Sequence, residues 1–297
     1  MKFKPPNKSE RFNAIGSTEE LSENEQRAFD PLDCEPIPKP SSGDWLAEHQ
    51  ETGQTFDQFK QQKWKQPDNS CNTIYLQPLG KFPENKSPSL KLLRKYVENY
   101  FTLRVNINNP LNLKNHNITI RINPYSRNIQ ILTSDVLNIL RNQLPDDAFC
   151  LMGISMEDIY PDPSWNFVFG QASLNDRVGV YSFARYHPAF YWEKPDKNVE
   201  QILLKRSCKV LVHEIGHMIG LSHCIYFHCV MNGSNHLQES DSRPLHLCPV
   251  CLHKLHYSIG FDIIERYKKL HNFYQQHGFT DEAEKIKNYL DYIFNKK

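Results

Sequence analysis

Three histidines and one glutamate between residues 213 and 223 have the spacing of a metal-dependent hydrolase site. His213 and His217 are four residues apart, so on a helix both imidazoles project from one face and can bind one cation. Glu214 occupies the position from which a carboxylate reaches a metal-bound water without itself binding the metal, the general-base position of H-E-x-x-H zinc hydrolases. Gly220 favours the end of the helix, and the following turn brings back His223 as a third ligand. Three nitrogens leave one tetrahedral position open, which predicts a catalytic zinc.

Four cysteines predict a second metal site in the same stretch. Cys224 directly follows His223, and adjacent side chains point apart, so Cys224 must serve a different ion. Cys229, Cys248 and Cys251 supply three more thiolates, in the pattern C-x4-C-x18-C-x2-C. A zinc with four cysteine ligands has no open position and stabilises the fold. The alternative is four unrelated buried thiols, and the clustering and the C-P-x-C knuckle argue against it.

These residues resemble those of the archaemetzincins, the metzincin branch in which a cysteine follows the third histidine and a four-cysteine site is added. In metzincins a methionine on a tight turn lies under the catalytic zinc, and the resemblance assigns this role to Met231, which precedes the turn signal Asn232-Gly233. The resemblance covers about residues 72 to 266, including three further segments: residues 163–173, 182–186 and 243–245.

The resemblance implies a compact metalloprotease-like domain with a mixed sheet, one catalytic and one structural zinc, and no inhibitory propeptide. The predicted function is a zinc-dependent metallopeptidase that hydrolyses peptide bonds through a zinc-bound water activated by Glu214. Endopeptidase and aminopeptidase action stay open. One alternative is a zinc-stabilised interaction protein with a silent or very narrow-substrate protease site, and another is a nucleic-acid-binding zinc module. His228, His236 and His246 are expected at the surface or beside the ligands.

Composition and charge narrow the expected partners and location. A net charge of +1 with both signs interspersed predicts no nucleic-acid or membrane-surface partner. Residues 1–8 contain no apolar run of the kind found in signal peptides, and no apolar stretch of the sequence is long enough to span a bilayer. We therefore expect a cytoplasmic protein, or one also found in the nucleus, that acts as a monomer on a peptide or protein substrate. Four further cysteines are then expected as reduced thiols: Cys34, Cys71, Cys150 and Cys208.

The order of predicted elements indicates an α/β fold of the α+β metzincin type, with a mixed twisted sheet and an active-site helix. A zinc-stabilised C-terminal subdomain and a C-terminal helical hairpin follow. The expected domains are an N-terminal extension with short docking helices and partial disorder (1–71), a catalytic domain with two zinc sites (72–260) and the hairpin (261–297).

Local patterns give the individual elements. A capping-box pair, Ser17 and Glu20, predicts a short helix in the N-terminal extension, and aromatic residues predict one or two more within 44–64. The edge strand beside the substrate is expected at 165–170. A helix capped by Thr133 or Ser134 is expected at 133–144. The remaining strands are expected at 73–77, 117–123, 148–154, 166–169 and 178–183, and the remaining helices at 88–103, 199–220, 261–277 and 280–294.

Overall fold

The computed structural model describes residues 3–31, 34–62, 65–84 and 86–294. The chain forms two compact units. The sheet unit comprises Gln66–Met218, and the helical unit comprises Met1–Lys65 together with Ile219–Lys297. The three-part division expected from the sequence stays a prediction. Residues 63 and 64, at the end of the predicted helical stretch 44–64, lie outside the described residues.

Where the structure describes the N-terminal part of the helical unit, it contains four short helices. They are α1 Lys8–Ile15, α2 Glu23–Ala28, α3 Trp45–Glu48 and α4 Phe56–Gln61. The predicted helix after Ser17 is wrong, because helix α2 begins only after Ser22. The Ser22 side chain accepts from the backbone N–H of Glu25, and the Glu25 carboxylate accepts from the backbone N–H of Ser22. This reciprocal pairing satisfies two helix-end donors that would otherwise have no intrahelical partner. The helices predicted within 44–64 are confirmed as α3 and α4.

The described residues of the sheet unit form eight strands and three α-helices. In chain order they are β1 Thr73–Leu79, α5 Leu90–Phe101, β2 Arg104–Ile107, β3 Ile120–Ile122, β4 Ile129–Leu132, α6 Thr133–Arg141, β5 Ala148–Ser155, β6 Asp158–Tyr160, β7 Gly170–Ser173, β8 Val178–Ser182 and α7 Val199–Met218. Five strands form one sheet in the order β2-β1-β5-β8-β7. All neighbours in it are parallel except β7, which pairs antiparallel with β8. The predicted mixed α/β fold is confirmed.

Strand β5 is central and buried along its whole length, as its continuous apolar sequence predicts. The hydrophobic core beside it joins residues from strands on both sides with the apolar face of α6. Its fully or nearly fully buried members are Leu79, Ile131, Val136, Leu137, Leu140, Leu151, Ile159, Val178 and Val180.

Strands β3, β4 and β6 form a separate three-stranded sheet. The strand predicted at 117–123 is part of it but is shorter than predicted. That alternating run forms only the short strand β3, and its isoleucines face outward: Ile120 is 61% exposed and Ile122 is 62% exposed. The alternation of Ile118, Ile120 and Ile122 predicts one buried face for this strand, and this prediction is wrong for Ile120 and Ile122. Alternation identifies two faces of a strand, but it does not establish that another layer covers the apolar one.

Two further local predictions are wrong. Residues 166–169 form no strand; Val168 makes one isolated bridge to Ile159, and the edge strand β7 begins at Gly170. Helix α6 begins after Leu132 without a side-chain cap. The Thr133 hydroxyl donates to the Tyr160 carbonyl, so this side chain connects α6 to strand β6 and does not cap its own helix.

The C-terminal part of the helical unit contains α8 Leu237–Ser242, α9 Pro249–Ile259, α10 Ile263–Gln276 and α11 Thr280–Phe294. Helices α10 and α11 pack together as the predicted hairpin. Gly278 lies between them with a φ of 69°, a conformation that glycine adopts without steric strain. Among the helices of the described ranges, none has both the length and the apolarity needed to cross a bilayer.

Candidate active site and metal centres

Helix α7 brings His213 and His217 together in the sheet unit. Its packed face includes Leu203, Leu204 and Leu211, which are buried and hold the helix in place. The two Nε2 atoms of His213 and His217 are 3.1 Å apart. Two nitrogens that bind one tetrahedral zinc at about 2.0–2.1 Å are separated by about 3.3 Å. This pair therefore fits two ligands of a single zinc ion.

Glu214 lies on the same helix with its carboxyl group held against the edge strand. Its side chain is 7% exposed. A Cβ added at Gly170, the first residue of β7, would lie 2.7 Å from Glu214 Cδ and 2.8 Å from Oε1. The glycine is therefore what allows the carboxylate to approach the strand backbone. Burial raises the pKa of Tyr181, whose backbone pairs with Gly170, and interactions with the Tyr186 side chain and the negative charge of Glu214 raise it further. The Tyr181 hydroxyl is thus protonated.

His223 belongs to the helical unit and has a carboxylate partner that the sequence did not reveal. Its Nδ1 lies 2.6 Å from Glu51 Oε1. Because an ionised carboxylate only accepts, Nδ1 carries the proton and Nε2 keeps a lone pair for a metal. Trp45 Nε1 donates to the same carboxylate oxygen at 2.7 Å, and its indole meets the imidazole edge-on. Glu51 precedes His223 by 172 residues, so no local spacing could have identified it.

The four predicted zinc-binding cysteines converge in the helical unit. Their sulfur atoms all lie within 4.8 Å of one another, and all four residues are buried. The sulfurs of Cys224 and Cys248 are 3.6 Å apart. Two sulfurs that bind one tetrahedral zinc at about 2.3 Å are separated by about 3.8 Å, so the set fits a four-thiolate zinc site.

The four thiols also affect one another's ionisation. Burial raises the pKa of Cys248, and hydrogen bonding to Cys224 raises the pKa of Cys251. Burial also disfavours the Cys224 thiolate, but hydrogen bonds from the other three thiols outweigh it and lower the Cys224 pKa. A bound cation would stabilise the thiolate form of all four cysteines as ligands.

Asn232 organises the loop between the first two cysteines, a role that the sequence predicted only as a turn. Its Oδ1 accepts from the Cys229 N–H at 2.8 Å, and its Nδ2 donates to the carbonyls of Cys224 and Phe227 at 2.8 and 3.0 Å. Met231, beside it, is buried, and its carbonyl accepts from the Cys224 N–H at 2.8 Å. These bonds fix the backbone directly after His223.

The other histidines of this region each face a carboxylate of the helical unit. His236 Nε2 lies 3.1 Å from Asp44 Oδ1, and its Nδ1 accepts from the Glu239 N–H at the start of α8. Glu239 in turn accepts from the backbone N–H groups of Trp45 and Asn235. Asp44, His236 and Glu239 thus form a compact group whose contacts connect α3 to α8. His228 and His246 lie 3.7 Å from Glu35 and Glu282, respectively.

Comparison with known proteins establishes the family. The sequence model of peptidase family M54 matches residues 103–257. Archaemetzincin-2 of Rattus norvegicus is 39% identical over 316 residues, which cover 95% of this chain and 88% of that protein. The chain belongs to the archaemetzincin family. Archaemetzincin-2 of Homo sapiens is 42% identical over 86% of this chain and 80% of its own length. The crystal structure of archaemetzincin from Methanopyrus kandleri has 28% identity and a TM-score of 0.49, covering 66% of this chain and 99% of that one.

Membership confirms the resemblance predicted from the zinc motif and the predicted enzyme class, a zinc metallopeptidase. The matched residues 103–257 include His213, Glu214, His217 and His223 as well as the four cysteines. The number of zinc ions and the role of each residue stay predictions.

Proposed function

We propose that this archaemetzincin hydrolyses peptide bonds at a zinc ion held by His213, His217 and His223, with Glu214 as the general base. The observation that carries the proposal is the pair of Nε2 atoms 3.1 Å apart on α7, with the buried carboxylate of Glu214 on the same helix. His223 is included because the motif spacing requires a third ligand and because Glu51 accepts the Nδ1 proton, which puts the lone pair of the ring on Nε2.

The zinc, when bound, would act as a Lewis acid toward the peptide carbonyl and lower the pKa of a water in its open position. Glu214 would take a proton from the attacking water and return it to the leaving amine. Its confinement against Gly170 restricts the carboxylate to a narrow range of positions, which favours proton transfer in one geometry. The imidazoles of His213 and His217 must be neutral to bind metal, so acid should inactivate the enzyme.

Strand β7 offers an edge at which an extended peptide could bind. It is the last strand of the five-stranded sheet and begins at Gly170, against which the Glu214 carboxyl group lies. A peptide that paired with this edge would bind through main-chain hydrogen bonds, with side-chain pockets adding preference. A substrate carbonyl would then pass close to the proposed base. This replaces the edge expected at 165–170.

A second zinc held by Cys224, Cys229, Cys248 and Cys251 would have no open position and would stabilise the loop after His223. We therefore propose two zinc ions per chain. The cytoplasmic or nuclear location, the monomeric state and the lack of nucleic-acid binding stay predictions from the sequence.

The decisive experiment combines zinc analysis with peptide cleavage. Wild type should contain two zinc ions and cleave members of a mixed peptide library; His217→Ala should contain one and cleave none. Glu214→Gln should keep both ions and lose cleavage, because the amide cannot accept the proton. Glu200→Gln, on the exposed first turn of α7, is the matched control and should behave as wild type.

Two results would contradict the proposal. Peptide cleavage by Glu214→Gln at the wild-type rate would refute the general-base role of Glu214. Two zinc ions in His217→Ala would refute the zinc site at the histidines. Two ions in the wild type with no cleavage of any peptide would favour the silent-site alternative.

A further inference from the structure

We propose that Glu51 and Trp45, in the N-terminal part of the chain, are positioning residues that fix the imidazole of His223 for metal binding. We call residues 44–54, which contain them, the N-terminal arm. The inference rests on the proposed function in that His223 is taken as a zinc ligand. It assigns to the arm a part in the metal site itself, where the sequence indicated only docking helices.

Glu51 determines which nitrogen of His223 is available. At 2.6 Å, Glu51 Oε1 can only accept the Nδ1 proton of His223, so the tautomer that carries its lone pair on Nε2 is favoured. Metal-binding histidines commonly donate their other N–H to a carboxylate, which orients the ring and makes the ligand nitrogen more basic. Both side chains are largely covered, with 19% exposure for His223 and 21% for Glu51. Water therefore competes less for this bond than at an open surface.

Trp45 fixes the carboxylate in turn. Its Nε1 donates to the same Oε1 atom at 2.7 Å, so two donors converge on one oxygen of Glu51. The indole is itself held in place, because a Cβ at Gly233 would lie 2.5 Å from Trp45 Cγ. Glycine at 233, just after Met231, is therefore required for the ring to occupy this position. The backbone N–H of Trp45 also donates to Glu239 at 2.9 Å. The carboxylate thus belongs to a supported network, in contrast to an isolated surface ion pair.

The end of the arm fixes the backbone before His223. Gln54 is 4% exposed; its Nε2 donates to the Gly220 carbonyl at 3.2 Å, and its Oε1 accepts from the Ser222 N–H at 3.3 Å. Lys254, which is also buried, donates to the same Oε1 at 3.1 Å. The arm therefore contacts the turn that leads into His223 as well as its ring. This double contact is expected of a segment that positions a ligand.

The test measures zinc affinity of the histidine site by chelator competition in the full-length protein. Glu51→Ala should lower the zinc affinity of this site by about 10- to 100-fold, the usual effect of removing a hydrogen-bond partner of a metal ligand. Glu51→Gln should be intermediate, because its amide oxygen still accepts the Nδ1 proton without the charge. Trp45→Phe should lower the zinc affinity less than Glu51→Ala does, because it removes only the indole N–H that donates to Glu51 and keeps an aromatic ring. Glu48→Ala, in the same arm and exposed, is the matched control and should bind as wild type.

A second measurement separates positioning from general stability. In zinc-loaded protein labelled with 15N-histidine, the Nδ1 proton of His223 should be protected from exchange in wild type and exchange faster in Glu51→Ala. The cysteine site should retain its zinc in all arm variants, and this retention would show that each variant is folded. If Glu51→Ala fails to fold, Glu51→Gln and Trp45→Phe carry the same comparison.

The outcomes distinguish this inference from the proposed function. If His217→Ala loses one zinc while the Glu51 variants bind zinc with wild-type affinity, the positioning role is refuted and the histidine site stands. If His217→Ala keeps both zinc ions, the proposed metal site itself is wrong. Equal losses of affinity in Glu48→Ala and Glu51→Ala would also overturn the inference, because the effect would then be a general one of the arm.

Discussion

Gly170→Ala should impair catalysis through a displacement of the Glu214 carboxylate while leaving the metal ligands in place. The added Cβ would lie 2.7 Å from Glu214 Cδ against an ordinary contact distance of 3.4 Å, a shortfall of about 0.7 Å. Backbone at the start of β7 is held by pairing with Tyr181. The carboxylate, at the end of a rotatable side chain, is therefore the group that moves.

The size of the effect follows from this shift. A misplacement of about 1 Å at a reacting group can lower a rate by about 100-fold. A displacement of about 0.7 Å should then reduce kcat/KM by about 10- to 100-fold, which corresponds to about 1.4–2.7 kcal/mol in the activation free energy. Overpacking should lower the free energy of unfolding by about 1–3 kcal/mol. Zinc content should stay at the wild-type value, because His213 and His217 are not touched.

The assay compares kcat/KM, zinc content and urea unfolding of wild type, Gly170→Ala and Gly179→Ala. Gly179 is the matched control, since its added Cβ would lie 2.8 Å from the flexible end of Met152 and does not meet Glu214. Both variants should lose stability, but only Gly170→Ala should lose most of its activity. Activity of Gly170→Ala within about twofold of Gly179→Ala would refute the reasoning that this contact places the base.

Two further predictions concern stability. Cys248→Ser should reduce the zinc content from two ions to one and lower the thermal midpoint markedly, because structural zinc contributes its binding free energy to folding. The control is Cys34→Ser, at a half-buried thiol outside the cluster, which should keep both ions. A Cys248→Ser protein with one zinc ion and wild-type stability would contradict the structural role. Burial lowers the pKa of His253 below its ordinary value, so the unfolded state takes the proton first and stability is lost as pH falls below about 6.5. Thermal midpoints between pH 7.5 and 5.5 should fall less in His253→Phe than in wild type; an equal fall would assign the acid loss to other groups, such as His256.

The zinc motif was readable from sequence because its geometry is local. His213 and His217 need only one helical turn to meet, and α7 has enough buried apolar residues to form that helix. The central strand β5 was equally readable, since a short apolar run bounded by turns is typical of a buried parallel strand. Four cysteines clustered in sequence can also be recognised as one site without any knowledge of the fold.

The supporting contacts were not readable, because they join segments that are distant in sequence. Gly170 and Glu214 meet only after β7 and α7 pack. No sequence pattern around Glu51 indicates that it is the partner of His223. Ile120 and Ile122 are a different case: their alternation correctly predicts a strand, but no local feature indicates that the face they form is exposed.

The helical unit constrains His223 through two separate mechanisms. Cys224, the next residue, is held by the four-thiol cluster and by the hydrogen bond to Met231, so the backbone after the histidine is fixed. Glu51 acts instead on the ring and its tautomer. A ligand needs both, because a well-placed backbone still allows the imidazole to rotate, and an oriented ring is of no use on a mobile loop. A zinc ion bound by the four cysteines and the N-terminal arm would thus constrain different degrees of freedom of the same side chain, which would be a physical reason for one short stretch of chain to carry a histidine and a cysteine side by side.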